Sequence, residues 1–120
     1  MGSLKKQCDM LWAKCVKAKA GYMSEFSKKT ERLHAHHIIG KPNYRLRYEI
    51  ENGVCLTSGE HIFGVHHAGR AERYRAMIQA LRGDDIFERL SILRNELCKT
   101  KLQDVKPYLE AKLKEYEELA

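Results

Sequence analysis

The chain has 120 residues and a formal net charge of +6, with 22 lysines and arginines against 16 aspartates and glutamates. This length fits one domain with a small core, so we predict a single domain over residues 1–120. No apolar run approaches the roughly 18 residues of a membrane span, and no signal-peptide pattern begins the chain. We therefore expect no membrane association and a cytoplasmic location.

The distribution of charge and the spacing of the cysteines indicate which kinds of partner and of cysteine chemistry to expect. Residues 1–48 carry 11 basic and 3 acidic side chains, whereas residues 49–120 carry 11 and 13. A positive half suits a polyanionic partner, because neutralising phosphates releases their counterions. The four cysteines form no CxxC pair, which argues against a zinc finger and is typical of reduced thiols in a cytosolic protein.

The first predicted element is a helix of about four turns. Its apolar side chains recur at helical spacing, at Leu4, Cys8, Leu11, Trp12, Cys15 and Val16. Gly21 stands where a glycine commonly ends a helix. The polar residues 22–33 that follow predict a loop.

Two strands and a helix start are predicted next. Residues 33–39 form a short apolar stretch typical of a strand, and residues 52–56 predict a second one. Glycine and proline interrupt a β-ladder, so we expect residues 40–45 between the strands to be irregular. Residues 57–61 then indicate the start of a helix.

The rest of the chain predicts three helices. The first ends at Gly83 and buries Tyr74, Met77, Ile78 and Leu81. The second is capped by Asp84-Asp85, with Glu88 as capping-box partner, and buries Ile86, Leu90, Leu93 and Leu97. The third buries Val105, Tyr108, Leu109, Leu113 and Tyr116. Two starts are open for it: a cap at Thr100, which leaves Pro107 to kink the helix, or a cap at Asp104.

One group of residues implies a specific chemistry. His36 and His37 are followed by Asn52 after 15 positions and by His61 after a further 9. Hydrolysis of a phosphodiester needs an activated water, which a histidine can supply near neutral pH, and a cation such as a divalent metal at the departing oxygen. Neighbouring strand residues face opposite ways, so both adjacent histidines can reach one phosphate only if the chain bends, which we expect at residues 38–40.

This order of residues resembles the HNH signature of ββα-metal nucleases, over roughly residues 22–67. The resemblance implies an α+β fold, in which a ββα-metal (His-Me finger) centre with a short antiparallel hairpin lies between an N-terminal helix and C-terminal helices. The core motif would span about 33–67 and the helical extension about 70–120. Residues 69–74 are similar to phage recombination nucleases of the Rap type, which would make this a phage-encoded protein acting in the host cell.

The resemblance also implies the role of each motif residue. His37 would be the general base, and Asn52 would hydrogen-bond across the loop and orient it. His36 and His61 would bind one divalent ion, either Mg²⁺, Mn²⁺, Ni²⁺ or Zn²⁺.

A third metal ligand is less well defined. Relatives such as the colicin nucleases carry another histidine four residues after the helical one, where this chain has Val65. His66, one position later, is the candidate third ligand, and it could coordinate only if the helix breaks or bulges. His67 and a water molecule are the alternatives. His34 is expected to pack or hydrogen-bond nearby.

Many HNH domains contain a structural zinc knuckle, but this chain has no cysteines at the corresponding positions. Its four positions are held by Ser24, Ser27, Thr57 and Glu60. Hydroxyls and one carboxylate make a poor tetrahedral zinc site. We therefore expect one metal ion per chain, at the histidines, and a fold stabilised by the flanking helices instead.

Basic residues near the motif are the expected contacts to DNA: Lys41, Arg45, Arg47, Arg70 and Arg73. Tyr44 and Tyr48 interleave with them and could lie against sugar or base. Phosphate contacts position DNA without reading its bases, so they predict no sequence specificity.

The function predicted is that of a metal-dependent DNA endonuclease. One alternative is a non-catalytic, metal-dependent nucleic-acid-binding module of the same fold, and another is a small helical scaffold with incidental histidines. A purely structural metal site has no need for a base, so His37 favours the enzyme. The sequence leaves the oligomeric state and the preferred form of DNA open.

Overall fold

The computed structural model describes residues 3–40, 43–60, 70–95 and 100–119. Within these ranges the chain is an α+β protein, as predicted, with helices around an antiparallel pair of strands. Its elements are α1 (Leu4–Lys19), β1 (Leu33–His37), α2 (Tyr44–Arg47), a 3₁₀ turn (Ile50–Asn52), β2 (Gly53–Thr57), α3 (Arg70–Arg82), α4 (Ile86–Asn95) and α5 (Leu102–Leu119). Residues 58–60 are also helical, which confirms the predicted helix start.

Helix α1 has a well-formed cap at each end. The Ser3 side chain accepts a hydrogen bond from the Lys6 amide. At the other end Gly21 has a φ of 69°, a left-handed conformation that glycine adopts without strain. The amides of Gly21 and Tyr22 then donate to carbonyls of the last turn, the Schellman arrangement. The predicted end of this helix is confirmed.

The two strands pair in a register that brings His36, His37 and Asn52 to one end. Leu33 lies opposite Thr57, and His37 lies opposite Gly53. Strand β1 is two residues shorter than predicted because the backbone bends at residues 38–39. The predicted bend beyond the paired histidines is therefore present.

The connection between the strands is more ordered than predicted. Its described part contains α2, which begins at Tyr44, and the 3₁₀ turn that leads into β2. Asn43 caps α2, since its side-chain oxygen accepts from the Leu46 amide at 3.0 Å. The prediction of irregular chain was wrong at residues 44–45, and asparagine at an N-cap position was the signal for the helix.

Two apolar cores lie on opposite faces of the strand pair, because successive strand residues alternate between faces. The first core joins α1 and α5 to one face, and its buried members are Cys8, Trp12, Cys15, Val16, Tyr48, Ile50, Cys55, Val105 and Leu109. The second core joins α3 and α4 to the other face, with Ile38, Leu46, Val54, Leu56, Ile78, Ile86 and Leu90 buried in it. The strand pair is thus held from both sides.

Two of the C-terminal helices follow the prediction closely. Helix α3 ends before Gly83, whose φ is 102°, and α4 begins directly after Asp85. Cys8, Cys15 and Cys55 are buried in the first core, and none of these three is part of a disulfide. No helix in the described ranges is both long and apolar enough to cross a membrane.

Helix α5 differs from both predicted starts. It begins at Leu102, so Pro107 lies inside the helix, as the Thr100 alternative required. The Lys101 carbonyl accepts the amides of the first turn. Tyr108 is 51% exposed and was wrongly predicted to be buried. The predicted core residue Leu97 lies outside the described residues.

Candidate functional site

The structure describes part of the predicted site. His36, His37 and Asn52 are described, and so are Arg45, Arg47 and Arg73. The predicted ligands His61 and His66, the alternative ligand His67 and the predicted DNA contact Lys41 lie outside the described residues, as does the side chain of Arg70. Among the described residues no group of three or more His, Cys, Asp or Glu side chains is placed to hold a metal ion.

Asn52 ties the bend after β1 to the neighbouring segments. It is fully buried. Its side-chain oxygen accepts from the Ile39 amide at 2.9 Å, and its side-chain nitrogen donates to the carbonyls of Ile39 and Leu46 at 3.0 and 3.1 Å. Its own carbonyl accepts from the Ile38 amide at 2.8 Å. These are the hydrogen bonds across the loop that the sequence predicted for this asparagine, and they fix the chain directly after His37.

The His37 ring is held by a backbone carbonyl. Its Nε2 lies 2.9 Å from the Arg47 carbonyl oxygen. A carbonyl oxygen only accepts, so Nε2 carries the proton of this hydrogen bond, and in the neutral ring Nδ1 then has the lone pair. The ring also stacks flat on Trp12, with 3.8 Å between centroids and an interplanar angle of 3°.

A charged group, which we call the arginine cluster and define as Asp9, Arg47 and Tyr48, fixes the segment that supplies this carbonyl. The Arg47 guanidinium donates to both carboxylate oxygens of Asp9, at 2.8 and 2.7 Å, and the Tyr48 hydroxyl donates to the same carboxylate at 2.9 Å. The hydrogen bonds to Asp9 raise the pKa of Arg47. Burial, with the contact to Asp9, raises the pKa of Tyr48. This cluster ties α1 to α2.

Two of the predicted DNA contacts, Arg45 and Arg47, form ion pairs within the fold. The Arg47 side chain is only 17% exposed and bound in a bidentate pair, and Arg45 pairs with Glu49 at 2.8 Å. Tyr48 is buried, so it does not present its ring to a ligand. Arg73, by contrast, is exposed on α3.

His36 occupies the other face of β1. Its ring meets the Tyr74 ring edge to face, with centroids 5.4 Å apart and planes at 83°. The Tyr74 hydroxyl is buried and has no hydrogen-bond partner among the described residues. Burial raises the pKa of Tyr74, against a smaller lowering by the charge of Arg82. The two adjacent histidines thus face opposite ways, as strand geometry requires.

Ser24, Ser27, Thr57 and Glu60 come together around the carboxylate of Glu60, and we call them the Glu60 cluster. The hydroxyls of Ser24 and Ser27 each donate to a different Glu60 oxygen at 2.9 Å. Thr57 and Glu60 also form a reciprocal capping box, each amide donating to the other side chain. A hydrogen-bonded cluster thus joins these segments, in addition to the packing of the flanking helices.

Some of these roles were missed in the sequence. Trp12 was predicted only as a core residue, and nothing in the local pattern links Asp9 to Arg47 across 38 positions. The Glu60 cluster did leave a signal: Thr57 and Glu60 have the spacing of a capping box, and Ser24 and Ser27 stand at knuckle positions.

No protein-family model, curated protein or solved structure matches this chain.

Proposed function

We propose that this chain is a metal-dependent DNA endonuclease with a ββα-metal centre. The proposal rests on one observation, the hydrogen bond from His37 Nε2 to the Arg47 carbonyl. Next to it, the buried Asn52 side chain holds the bend after His37 by hydrogen bonds. The hydrogen bond to the Arg47 carbonyl leaves Nδ1 as the basic nitrogen of a ring whose position is fixed. A general base needs this combination of tautomer and orientation.

His37 would take a proton from the attacking water at Nδ1 as the water oxygen bonds to phosphorus and the bond from phosphorus to the departing 3′-oxygen breaks. The ring then becomes positively charged. The Arg47 carbonyl continues to accept from Nε2 and favours that charge, as the partner of a catalytic histidine does in other hydrolases. Asn52 would contribute by holding the bend that follows the base.

His36 would hold the metal together with His61 and a third ligand, either His66, His67 or water. Imidazole nitrogen suits Zn²⁺ and Ni²⁺ better than Mg²⁺, which prefers oxygen ligands. A bound divalent ion would supply Lewis-acid stabilisation of the phosphoryl and leaving oxygens. His37 ends β1 and the chain bends immediately after it, so a phosphate at the end of the strand would be accessible to groups on both faces.

The proposed DNA surface keeps Lys41, Arg70 and Arg73. Arg45 and Arg47 already have acidic partners in the fold, so we assign them to structure. The excess of positive charge in residues 1–48 supports a polyanionic substrate.

The test is a cleavage assay on duplex, branched and single-stranded DNA with Mg²⁺, Mn²⁺, Ni²⁺ and Zn²⁺ in turn. His37→Ala should lower cleavage by a factor of about 10² to 10⁴, the range for loss of a general base, and added metal should not restore it. His36→Ala should weaken metal binding, and added metal should partly restore its activity. His34→Ala, an exposed histidine on the same strand, is the matched control and should cleave like the parent.

Two results would contradict this proposal. If His37→Ala cleaves like the parent, His37 is not the base. If the parent cleaves no DNA with any of these ions but still binds DNA when metal is present, the chain is a metal-dependent binding module.

A further inference from the structure

Trp12 is the only tryptophan of the chain and lies directly against the proposed base. It is 3% exposed, and its ring is parallel to the His37 ring within 3°. Packing alone usually accounts for a buried tryptophan in a core. Here, however, its flat face covers one whole face of an imidazole.

The two stacked rings are held by the same short segment. The Trp12 indole N–H donates to the Glu49 carbonyl at 2.9 Å, and His37 Nε2 donates to the Arg47 carbonyl at 2.9 Å. The arginine cluster fixes the helix turn that carries the second of these carbonyls. The polar edge of each ring is therefore hydrogen-bonded to the same short backbone segment, residues 47–49.

Gly53 makes room for this arrangement. It lies opposite His37 in the strand register. A Cβ atom at position 53 would come within 2.9 Å of the Trp12 ring and still closer to Val16. The stacked pair thus depends on a residue without a side chain at this position.

A single hydrogen bond does not fix the plane of an imidazole, because the ring can still pivot about the N–H···O axis. A flat contact over one face removes this freedom. We propose that Trp12 is a positioning residue for His37, which holds the imidazole plane so that Nδ1 stays directed at the attacking water. This inference rests on the proposed function, and it assigns to Trp12 a role beyond packing. Loss of such alignment lowers the rate of the chemical step without weakening binding.

The test compares substitutions that keep or remove a flat ring. Trp12→Phe retains a flat face but loses the N–H to Glu49, and Trp12→Leu retains apolar volume without a ring. We expect Trp12→Leu to lower kcat by about 10-fold with KM for DNA and metal affinity unchanged, and Trp12→Phe to recover most of the rate. Leu109→Ala, a truncation in the same core away from His37, is the control and should lower stability without changing kcat.

A second measurement does not depend on activity. Ring ¹³C relaxation spectra of the His37 C–H groups at about pH 8, above the usual pKa of histidine, should show a rigid imidazole in the parent and in Trp12→Phe, and a more mobile one in Trp12→Leu. If Trp12→Leu does not fold, Trp12→Met replaces it, since methionine fills irregular space without a flat face.

The outcomes separate this inference from the proposed function. A folded Leu or Met variant with the parent's kcat and an equally rigid His37 ring would overturn it, and so would a mobile His37 ring in the parent itself. If the parent cleaves no DNA, the spectra still decide whether Trp12 fixes the ring.

Discussion

The two ends of the strand pair are held by polar clusters of different chemistry. The arginine cluster acts at the His37 end, where Gly53 is the opposite residue, and the Glu60 cluster acts at the Thr57 end, where Leu33 is opposite. The first is an ion pair between two helices. The second is one carboxylate surrounded by neutral donors from a turn and from the end of a strand. The arginine cluster fixes the segment whose carbonyl accepts from His37.

The difference lies in how each cluster responds to change. An arginine remains charged at any ordinary pH, so removing Asp9 would leave a partly buried cation without its bidentate partner. In the Glu60 cluster the only charge is the carboxylate itself, and its donors are hydroxyls and an amide. The fold should therefore tolerate neutralisation of Glu60 better than removal of Asp9. The Glu60 cluster, rather than the arginine cluster, should also be the one that a bound metal ion could replace.

The largest expected effect concerns that replacement. If the Glu60 cluster keeps the geometry of a zinc knuckle, the combined changes S24C, S27C, T57C and E60C should create a tetrahedral thiolate site. Structural zinc sites contribute about 10–16 kcal/mol, so we expect nanomolar or tighter zinc binding that the parent lacks at these positions. Co²⁺ absorption with zinc competition measures it.

The control for the zinc variant moves one ligand by a residue. With S58C in place of T57C, the fourth thiolate leaves the cluster, and zinc binding should weaken by at least about 10-fold. Equal zinc affinity in the two variants would mean that the four positions do not share knuckle geometry.

The parts of the fold that were predictable are those determined by local sequence. The helical spacing of apolar residues in α1 and α3, and the glycines at positions 21 and 83, are local signals, and both helices end where those glycines stand. The short helix α2 was missed because four residues give too little periodicity, although Asn43 marked its cap. Tyr108 was assigned to the core from spacing alone, and tertiary packing left it exposed.

The candidate site likewise contains residues whose contacts were predictable from the sequence and residues whose contacts were not. Asn52 was predictable because its place in the motif and the bend after His37 together require hydrogen bonds across the loop. The ion pair of Arg47 was not predictable, since its partner Asp9 is on α1 and no local pattern reports a pair so distant in sequence. Contacts between distant segments depend on how the cores pack, which periodicity does not encode.

A medium effect is expected from breaking the arginine cluster. Asp9→Ala leaves the Arg47 guanidinium mostly buried without its bidentate acceptor, and we expect the free energy of unfolding to fall by about 2 kcal/mol, after allowing for the partial exposure of Asp9. Urea unfolding of the metal-free chain measures this. Asp9→Asn, which keeps one acceptor oxygen, should lose roughly half as much.

The matched control is the neighbouring pair of Arg45 and Glu49, which joins α2 to the segment directly after it, four residues along the chain. Glu49→Ala should cost no more than about 0.5 kcal/mol, as for other pairs at this spacing. If Asp9→Ala costs no more than Glu49→Ala, the arginine cluster does not stabilise the fold and cannot be what fixes the Arg47 carbonyl.

The smallest effect is expected from neutralising Glu60, and it should depend on pH. Burial raises the pKa of this carboxyl, but hydrogen bonds from Thr57, Ser27 and Ser24 together outweigh burial, so its pKa is lowered. A depressed pKa in the folded state means that ionised Glu60 stabilises the fold above the ordinary pKa of about 4.3. That contribution is lost as the pH falls through the lower, folded-state pKa.

Glu60→Gln should therefore lower the free energy of unfolding by about 1 kcal/mol at neutral pH, since the amide keeps one acceptor oxygen but places a donor where Ser24 now donates. Urea unfolding of parent and variant, in the presence of a chelator, should give curves that converge as the pH is lowered below about 4. Glu118→Gln, on the exposed end of α5, is the control and should leave the free energy of unfolding unchanged at neutral pH. A difference that stays constant down to about pH 3 would show that the stabilisation comes from the shape of the side chain rather than from its charge. In that case the two clusters would not differ in the way argued above.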